Sequence, residues 1–445
     1  MDTLYKLLQL SPDNYLLFEG ENMQIFPMPI SDYGELIEYL NGRKTVAEKN
    51  QEIENWLCEN LKQRLDGLIV NKEEYISPLL ETLVLPITDK CNLTCPYCFA
   101  QKGNGNFNFD SYTEKDIDNL LEIIYDKNRD TPTTLVFFGG EPLLKFKLIK
   151  YTINAISTRY NGKLNVSYSI TTNGTLINEK VAQFFRDNNF AVMLSVDGPD
   201  NEYNFRKYSN GESSLGRVLR NIEVLKEKEV SFEVRATITS NNPYILETIM
   251  FLEELRTPFT AVFAYSSENA THGELTSYDD ITLERIKDGL GKVYDYYSEK
   301  LKKCEKIYNL AISEFFETLE YRTVKERACT AGLTYHTVMS NGDMYSCAHL
   351  MNDKKYIVQN VRHFENGKWL SDTTIPIKVS EIEDCQKCWA KNLCSGGCTS
   401  RKVLANRKTS MALPQVECKL QKLQFELYLR LYYLYKIHTC NQEKE

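Results

Sequence analysis

Ten of the thirteen cysteines fall into two spaced sets, and their spacing points to metal or iron–sulfur ligation. The first set is Cys91-Asn-Leu-Thr-Cys95-Pro-Tyr-Cys98, directly after an apolar run that reads as a strand. Three thiolates this close wrap one face of a [4Fe–4S] cube but supply three of the four ligands it wants. The iron left open is a position for a small chelating ligand, as a three-ligand zinc site is a catalytic one. A zinc site missing its fourth ligand and chance clustering are the competing readings. The second set runs Cys329-x12-Gly342-x4-Cys347, Cys385-x2-Cys388-x5-Cys394-x3-Cys398, then Cys418. Taken alone, Cys-x2-Cys-x5-Cys suits structural zinc as well. Cys58, Cys304 and Cys440 have no spacing logic and read as buried structural thiols.

The rest of the composition narrows the class. At roughly 150 residues per domain, 445 residues allow two to four domains. A 42% hydrophobic and 26% charged content is that of a folded protein. Lys plus Arg number 53 against 61 Asp plus Glu, a net charge of −8 that argues against nucleic acid as a partner. No signal segment follows Met1-Asp2-Thr3, and no apolar run reaches the roughly 18 residues that span a bilayer. The expectation is a cytoplasmic protein with no membrane partner.

The elements that must position these thiols follow from periodicity. Short extended runs at 5–10, 15–18 and 23–26 predict a small antiparallel sheet. Tyr33, Leu36, Ile37 and Leu40 then predict a helix behind Ser31-Asp32, and 46–65 a second one. Residues 1–80 thus read as a winged-helix-like unit. From about Thr82 to Ser266, strands at 82–87, 134–138, 165–170, 190–195, 231–237 and 259–265 alternate with amphipathic helices such as 116–125 and 215–227. The class is α/β with parallel β/α units, as a partial barrel or an open sheet. Residues 81–300 form this unit, 301–328 a bridge, 329–420 a cysteine-rich domain of loops organised by metal, and 421–445 a buried or docking helix.

At this point the chain resembles the radical S-adenosylmethionine enzymes. The Cys91, Cys95, Cys98 pattern on the loop after a first barrel strand is similar to their signature. Gly139-Gly140-Glu141-Pro142 resembles the segment receiving the methionine amino group, Asn173-Gly174 follows the third strand, and Ser195-Val-Asp-Gly-Pro ends the fourth. Arg206 lies where a related position holds the methionine carboxylate. The resemblance implies a partial (β/α)6 barrel binding S-adenosylmethionine through Tyr97, Gly139, Gly140, Glu141, Asn173, Ser195 and Arg206. Tyr97 would stack near the adenine, Glu141 suits an ammonium and Arg206 a carboxylate. The cofactor would yield a 5′-deoxyadenosyl radical that abstracts hydrogen from carbon. Asp197 and the histidines receive no catalytic role.

The second cysteine set resembles the SPASM extension, which implies two auxiliary clusters, three [4Fe–4S] clusters in all. One would be held by Cys385, Cys388, Cys394 and Cys418, the other by Cys329, Cys347 and Cys398. The latter is one cysteine short: sulfatase-maturating relatives have a further cysteine where this chain has Tyr335, so the site is open or completed by an outside group such as His336. Those enzymes also have a catalytic aspartate where this chain has Ala348, and far fewer residues before their first cysteine motif. Cys98-Phe99-Ala100 and Phe137-Phe138-Gly139-Gly140-Glu141-Pro142-Leu143 are instead similar to thioether-forming maturases of six-cysteine peptides. The resemblance implies a precursor peptide as partner, its leader bound by residues 1–80 through strand addition, with flavodoxin or ferredoxin as electron donor. An open iron at Cys329, Cys347 and Cys398 would suit a peptide thiolate. The expected activity is thioether formation, with carbon–carbon crosslinking and formylglycine formation as alternatives.

Overall fold

The structure, a computed structural model, describes residues 4–38, 79–99, 109–265, 275–365 and 374–442. The helix expected over 46–65 and Cys58 lie outside these residues. Strands β1 (Tyr5–Ser11), β2 (Asn14–Glu19) and β3 (Gln24–Pro29) form an antiparallel meander, with α1 (Ile30–Glu38) following directly. The helix starts ahead of Ser31-Asp32, and Tyr33 departs from helical backbone (φ −128°, ψ 20°), so α1 is kinked rather than capped there.

Six strands follow in the expected alternation: β4 (Thr82–Thr88), β5 (Thr133–Gly139), β6 (Val166–Thr172), β7 (Ala191–Ser195), β8 (Phe232–Ile238) and β9 (Phe259–Phe263). They pair parallel in sequence order. The intervening helices are α2 (Glu114–Asn128), α3 (Phe146–Ala155), α4 (Glu179–Asp187), α5 (Leu215–Glu227) and α6 (Ile245–Glu254). Thr113 caps α2 through a reciprocal box with Asp116, satisfying backbone N–H groups that a helix start leaves orphaned. Alternation along each strand sends one set of side chains outward: Leu83, Leu85, Leu135, Phe137, Ile170, Leu194 and Val234 join the helices in the main core. The other set, including Val84, Phe138, Thr171, Met193, Thr237 and Val262, lines one cavity of about 520 Å³. All six strands share that cavity, so the sheet curves around it.

Beyond β9 come α7 (Asp280–Lys302) and α8 (Leu310–Glu320). The cysteine-rich segment departs from the reading as loops. It supplies β10 (Tyr335–Val338), which pairs parallel to β4, and β11 (Asp343–Tyr345) and β12 (Ile357–Asn360), which continue antiparallel to make a nine-stranded sheet. Short helices α9 (Lys391–Cys394) and α10 (Thr399–Leu404) follow. The last helix, α11 (Gln415–Gln442), starts earlier than residue 421 and takes in Cys418. It lies between two cores: Leu420, Leu427 and Leu431 face the main one, Phe425, Leu429 and Tyr432 a second.

That second core also receives Leu8, Leu16, Phe18 and Met23 of the N-terminal sheet and Trp389 of the cysteine-rich segment. Phe18 meets Trp389 edge-on at 5.9 Å, and Asn392 donates to Gly20 O (3.0 Å) and Glu21 O (2.8 Å). The N-terminal unit is therefore docked on the cysteine-rich segment. Cys304 corrects the expectation of a buried thiol: it is exposed, held with φ +53° just past the end of α7.

Candidate functional site

The cavity opens at the carboxyl ends of the parallel strands, where loops are free to carry chemistry while the sheet stays rigid. Cys91, Cys95 and Cys98 all line it, on the loop after β4. Their loop is fastened to the next strand ends by backbone. Gly140 N donates to Thr88 O (2.9 Å) and Glu141 N to Lys90 O (2.8 Å). A Cβ on Gly140 would sit 2.0 Å from Lys90 O and one on Gly139 2.4 Å from Thr88 O, so both positions demand glycine. Gly139 has φ +128° as well. Asn173, after β6, ties in the other side: its Nδ2 donates to Asn92 Oδ1 (2.9 Å) and approaches Cys91 Sγ (3.8 Å). Burial pushes the Cys91 thiol up to about 11 and the Cys95 thiol up to about 12. Thiols buried among like thiols stay protonated until a cation displaces the proton, which is the condition of a cluster site before loading.

Glu141 sits behind the cavity wall, fully buried. Its carboxylate accepts from Thr172 Oγ1 (2.7 Å), Asn173 N (2.8 Å) and Leu143 N (3.0 Å). Burial pushes its pKa up to about 7. In this geometry it locks the end of β5 to the end of β6. Gly139, Gly140, Asn173, Ser195, Tyr97 and Arg206 all line the cavity. Arg206 Nε lies 3.0 Å from Asp197 Oδ2, the Tyr97 hydroxyl donates to the same carboxylate, and the guanidinium stands 5.8 Å from the Tyr97 ring centre. Burial works against the Arg206 charge, yet Asp197 and Tyr97 keep it firmly protonated. Asp197 also accepts from Thr237 N (2.9 Å). Sequence reading gave Asp197 no role; its place within the Ser195-Val-Asp-Gly-Pro run was the available signal.

The far wall comes from the cysteine-rich segment. Tyr335, Ala348 and His349 line the same cavity, with Arg235 of β8 and Tyr265 opposite. His349 packs on Phe99 (ring centres 3.8 Å) and Tyr265 (5.0 Å). Its pKa falls to about 3, through burial first and then Arg401 and Arg235. A histidine so placed is neutral, and nothing in its sequence context singled it out. His336, by contrast, is one residue out of phase with Tyr335. It packs near Phe364 and its Nε2 lies 3.1 Å from Leu79 O, on the core side of the sheet. A completing role for His336 is thereby corrected.

The remaining seven cysteines influence one another electrostatically in two groups. Cys347 lies in the field of Cys398 and Cys329, and Tyr335 in that of Cys347 and Cys329. Cys394 feels Cys418, Cys385 and Cys388. Ser400 Oγ is 3.1 Å from Cys398 Sγ. Lys402 is 2% exposed, and among the described residues no carboxylate pairs with it; burial works against its charge and Cys385, Cys394, Cys398 and Cys418 act to sustain it. A buried cation among thiols fits sites that carry thiolate-bound, net-negative centres.

Residues 85–252 match the family model described as Radical SAM superfamily. That segment has a mixed α/β fold with a largely parallel central sheet. An uncharacterized protein of Methanocaldococcus jannaschii is 36% identical over 175 residues, covering 39% of this chain and 58% of that one. The cysteine-type anaerobic sulfatase-maturating enzyme of Clostridium perfringens is 26% identical over 337 residues, 72% of this chain and 89% of that one. Among solved structures, anSMEcpe with bound AdoMet aligns with a TM-score of 0.66 at 21% identity over 81% of this chain and 96% of that one. Streptococcus suis SuiB bound to precursor peptide SuiA aligns at 0.51 and 17% identity over 93% of this chain and 98% of that one. At such identities the structural likeness shows the fold.

Proposed function

We propose that the protein is a peptide maturase that installs crosslinks, thioether bonds from cysteine sulfur to carbon, in a ribosomally made precursor. The observation that carries this reading is the shared cavity, which runs from Cys91, Cys95 and Cys98 to Tyr335, Ala348 and His349, beside Cys347. A peptide segment held there meets both ends at once. When bound, S-adenosylmethionine and its reduced cluster supply hydrogen abstraction from unactivated carbon.

The chain's own residues hold, orient and exclude. Cys91, Cys95 and Cys98 hold the cluster. Gly139, Gly140, Asn173 and Ser195 shape the cofactor cradle, Tyr97 offers a ring to the adenine, and Arg206 meets the methionine carboxylate with Asp197 fixing its direction. Val84, Val136, Phe138, Met193 and Val262 keep water from the reacting carbon. Cys385, Cys388, Cys394 and Cys418 hold one auxiliary cluster. Cys329, Cys347 and Cys398 hold another, with Tyr335 where a fourth cysteine would fall. Residues 1–80 take the leader, and flavodoxin or ferredoxin supplies electrons. The named relatives favour sulfatase maturation as a second reading, but position 348 offers the cavity only a methyl group where that reaction's aspartate would stand.

Anaerobically reconstituted enzyme with short cysteine-rich peptides encoded beside its gene tests the proposal. Each thioether should remove two hydrogens and one alkylatable thiol. A product that loses the hydrogens and keeps every thiol would be a carbon–carbon crosslink and would overturn the thioether reading.

A further inference from the structure

Lys402 stands on α10, one turn beyond Cys398, and its backbone N–H donates to Cys398 O (3.3 Å). Lysine is almost never fully buried unless paired, yet this side chain is 2% exposed. Its Nζ donates to Thr409 O (3.2 Å) and lies 3.7 Å from where a Cβ on Gly396 would be, so the ammonium rests against the loop between Cys394 and Cys398. Gly396 and Gly397, at φ +81° and +76°, let that loop close over it. Burial works against the charge of the ammonium, while Cys385, Cys394 and Cys418 of one group and Cys398 of the other act to sustain it, and it in turn lowers Cys329. Among the described residues no carboxylate forms an ion pair with it, so thiolate charge is what can balance it.

We propose that Lys402 is a counter-charge shared by the two auxiliary clusters, one that raises the reduction potential of both. The inference rests on those clusters being present. Adding an electron to a cluster adds negative charge, which a fixed cation nearby stabilises; net charge and hydrogen bonds to sulfur are the protein's means of setting such potentials. The ammonium is held in place by the Thr409 carbonyl and acts on the sulfurs through its charge. Lys402 is not among the residues lining the cavity and acts through the clusters.

The test uses the full chain with Cys91, Cys95 and Cys98 replaced by Ala, so that the auxiliary iron alone is read. Iron content and potentiometric titration followed by electron paramagnetic resonance are compared for Lys402, Lys402→Met and Lys402→Arg. At equal iron content, Lys402→Met should move the auxiliary midpoint potentials to more negative values by at least a tenfold change in the reduction equilibrium, about 59 mV for one electron. Lys402→Arg should restore most of the shift. Should Lys402→Met load less iron, Lys402→Gln replaces it and must show the same shift. Unmoved potentials in a fully loaded variant overturn this inference alone, whereas a Lys402 protein that binds no iron at these cysteines overturns the cluster reading with it.

Discussion

Gly140→Ala tests whether the loop carrying Cys91 is held by close backbone contact. The new Cβ would lie 2.0 Å from Lys90 O, 2.3 Å from Lys90 C and 2.9 Å from Cys91 N. All three are backbone atoms, so no side-chain rotation relieves the clash. Reaching an ordinary contact requires Lys90 and Cys91 to retreat by more than an ångström. That movement breaks the Glu141 N–H to Lys90 O bond, now 2.8 Å. A lost hydrogen bond with its buried donor left unmet costs about 1–3 kcal/mol, and overpacking a further ~1–3 kcal/mol. A total of about 2–6 kcal/mol should fall on the loop. Chemical denaturation reads the stability loss, and iron per chain with 5′-deoxyadenosine formation reads the displaced Cys91. Gly291→Ala is the control: nothing lies within 4 Å of its added Cβ and it sits inside α7, so it should stabilise by about 0.5–1 kcal/mol. A Gly140→Ala protein with wild-type stability, iron and cofactor cleavage refutes the reasoning.

Arg206→Ala should weaken S-adenosylmethionine binding by tenfold or more while iron loading stays near wild type, measured by equilibrium binding and iron assay; equal losses in both would make Arg206 a structural residue. Phe18→Ala removes a fully buried ring wedged against Trp389 and should cost about 3–5 kcal/mol in denaturant unfolding, so an unchanged transition argues that the N-terminal sheet is not docked as described. His336 has its pKa lowered by burial to about 4, so it stays neutral in the fold while the unfolded chain takes up a proton near 6.5. Stability should therefore fall by about 2–3 kcal/mol as pH drops from 6.5 to 4; His336→Phe should flatten that part of the profile, and an unchanged slope counts against the assignment.

Much of the site was legible because its signals are local. Cys91, Cys95 and Cys98 declare themselves by spacing, and the strand ends at Gly139, Asn173 and Ser195 follow from period-2 apolar runs bounded by glycine and polar residues. The β/α alternation then determines that these ends share one side. Helix α5 was read at its observed bounds because its apolar stripe is continuous from Leu215. The start of α11 was missed because residues 415–420 mix charge with Cys418 and show no stripe.

The amino-acid sequence alone determined where the parallel units run and which residues stand at their carboxyl ends. Tertiary structure decided what else reaches that site. Pairing of β10 with β4 joins Tyr335 to Thr82 across some 250 residues, and no local period reports such a contact. That pairing turns Tyr335 toward the cavity and His336 toward the core, and it carries Ala348 and His349 to the far wall. Asp197 gained its place in the site from Arg206 and Tyr97. Burial and electrostatics depend on distance in space, and only the folded chain sets those distances.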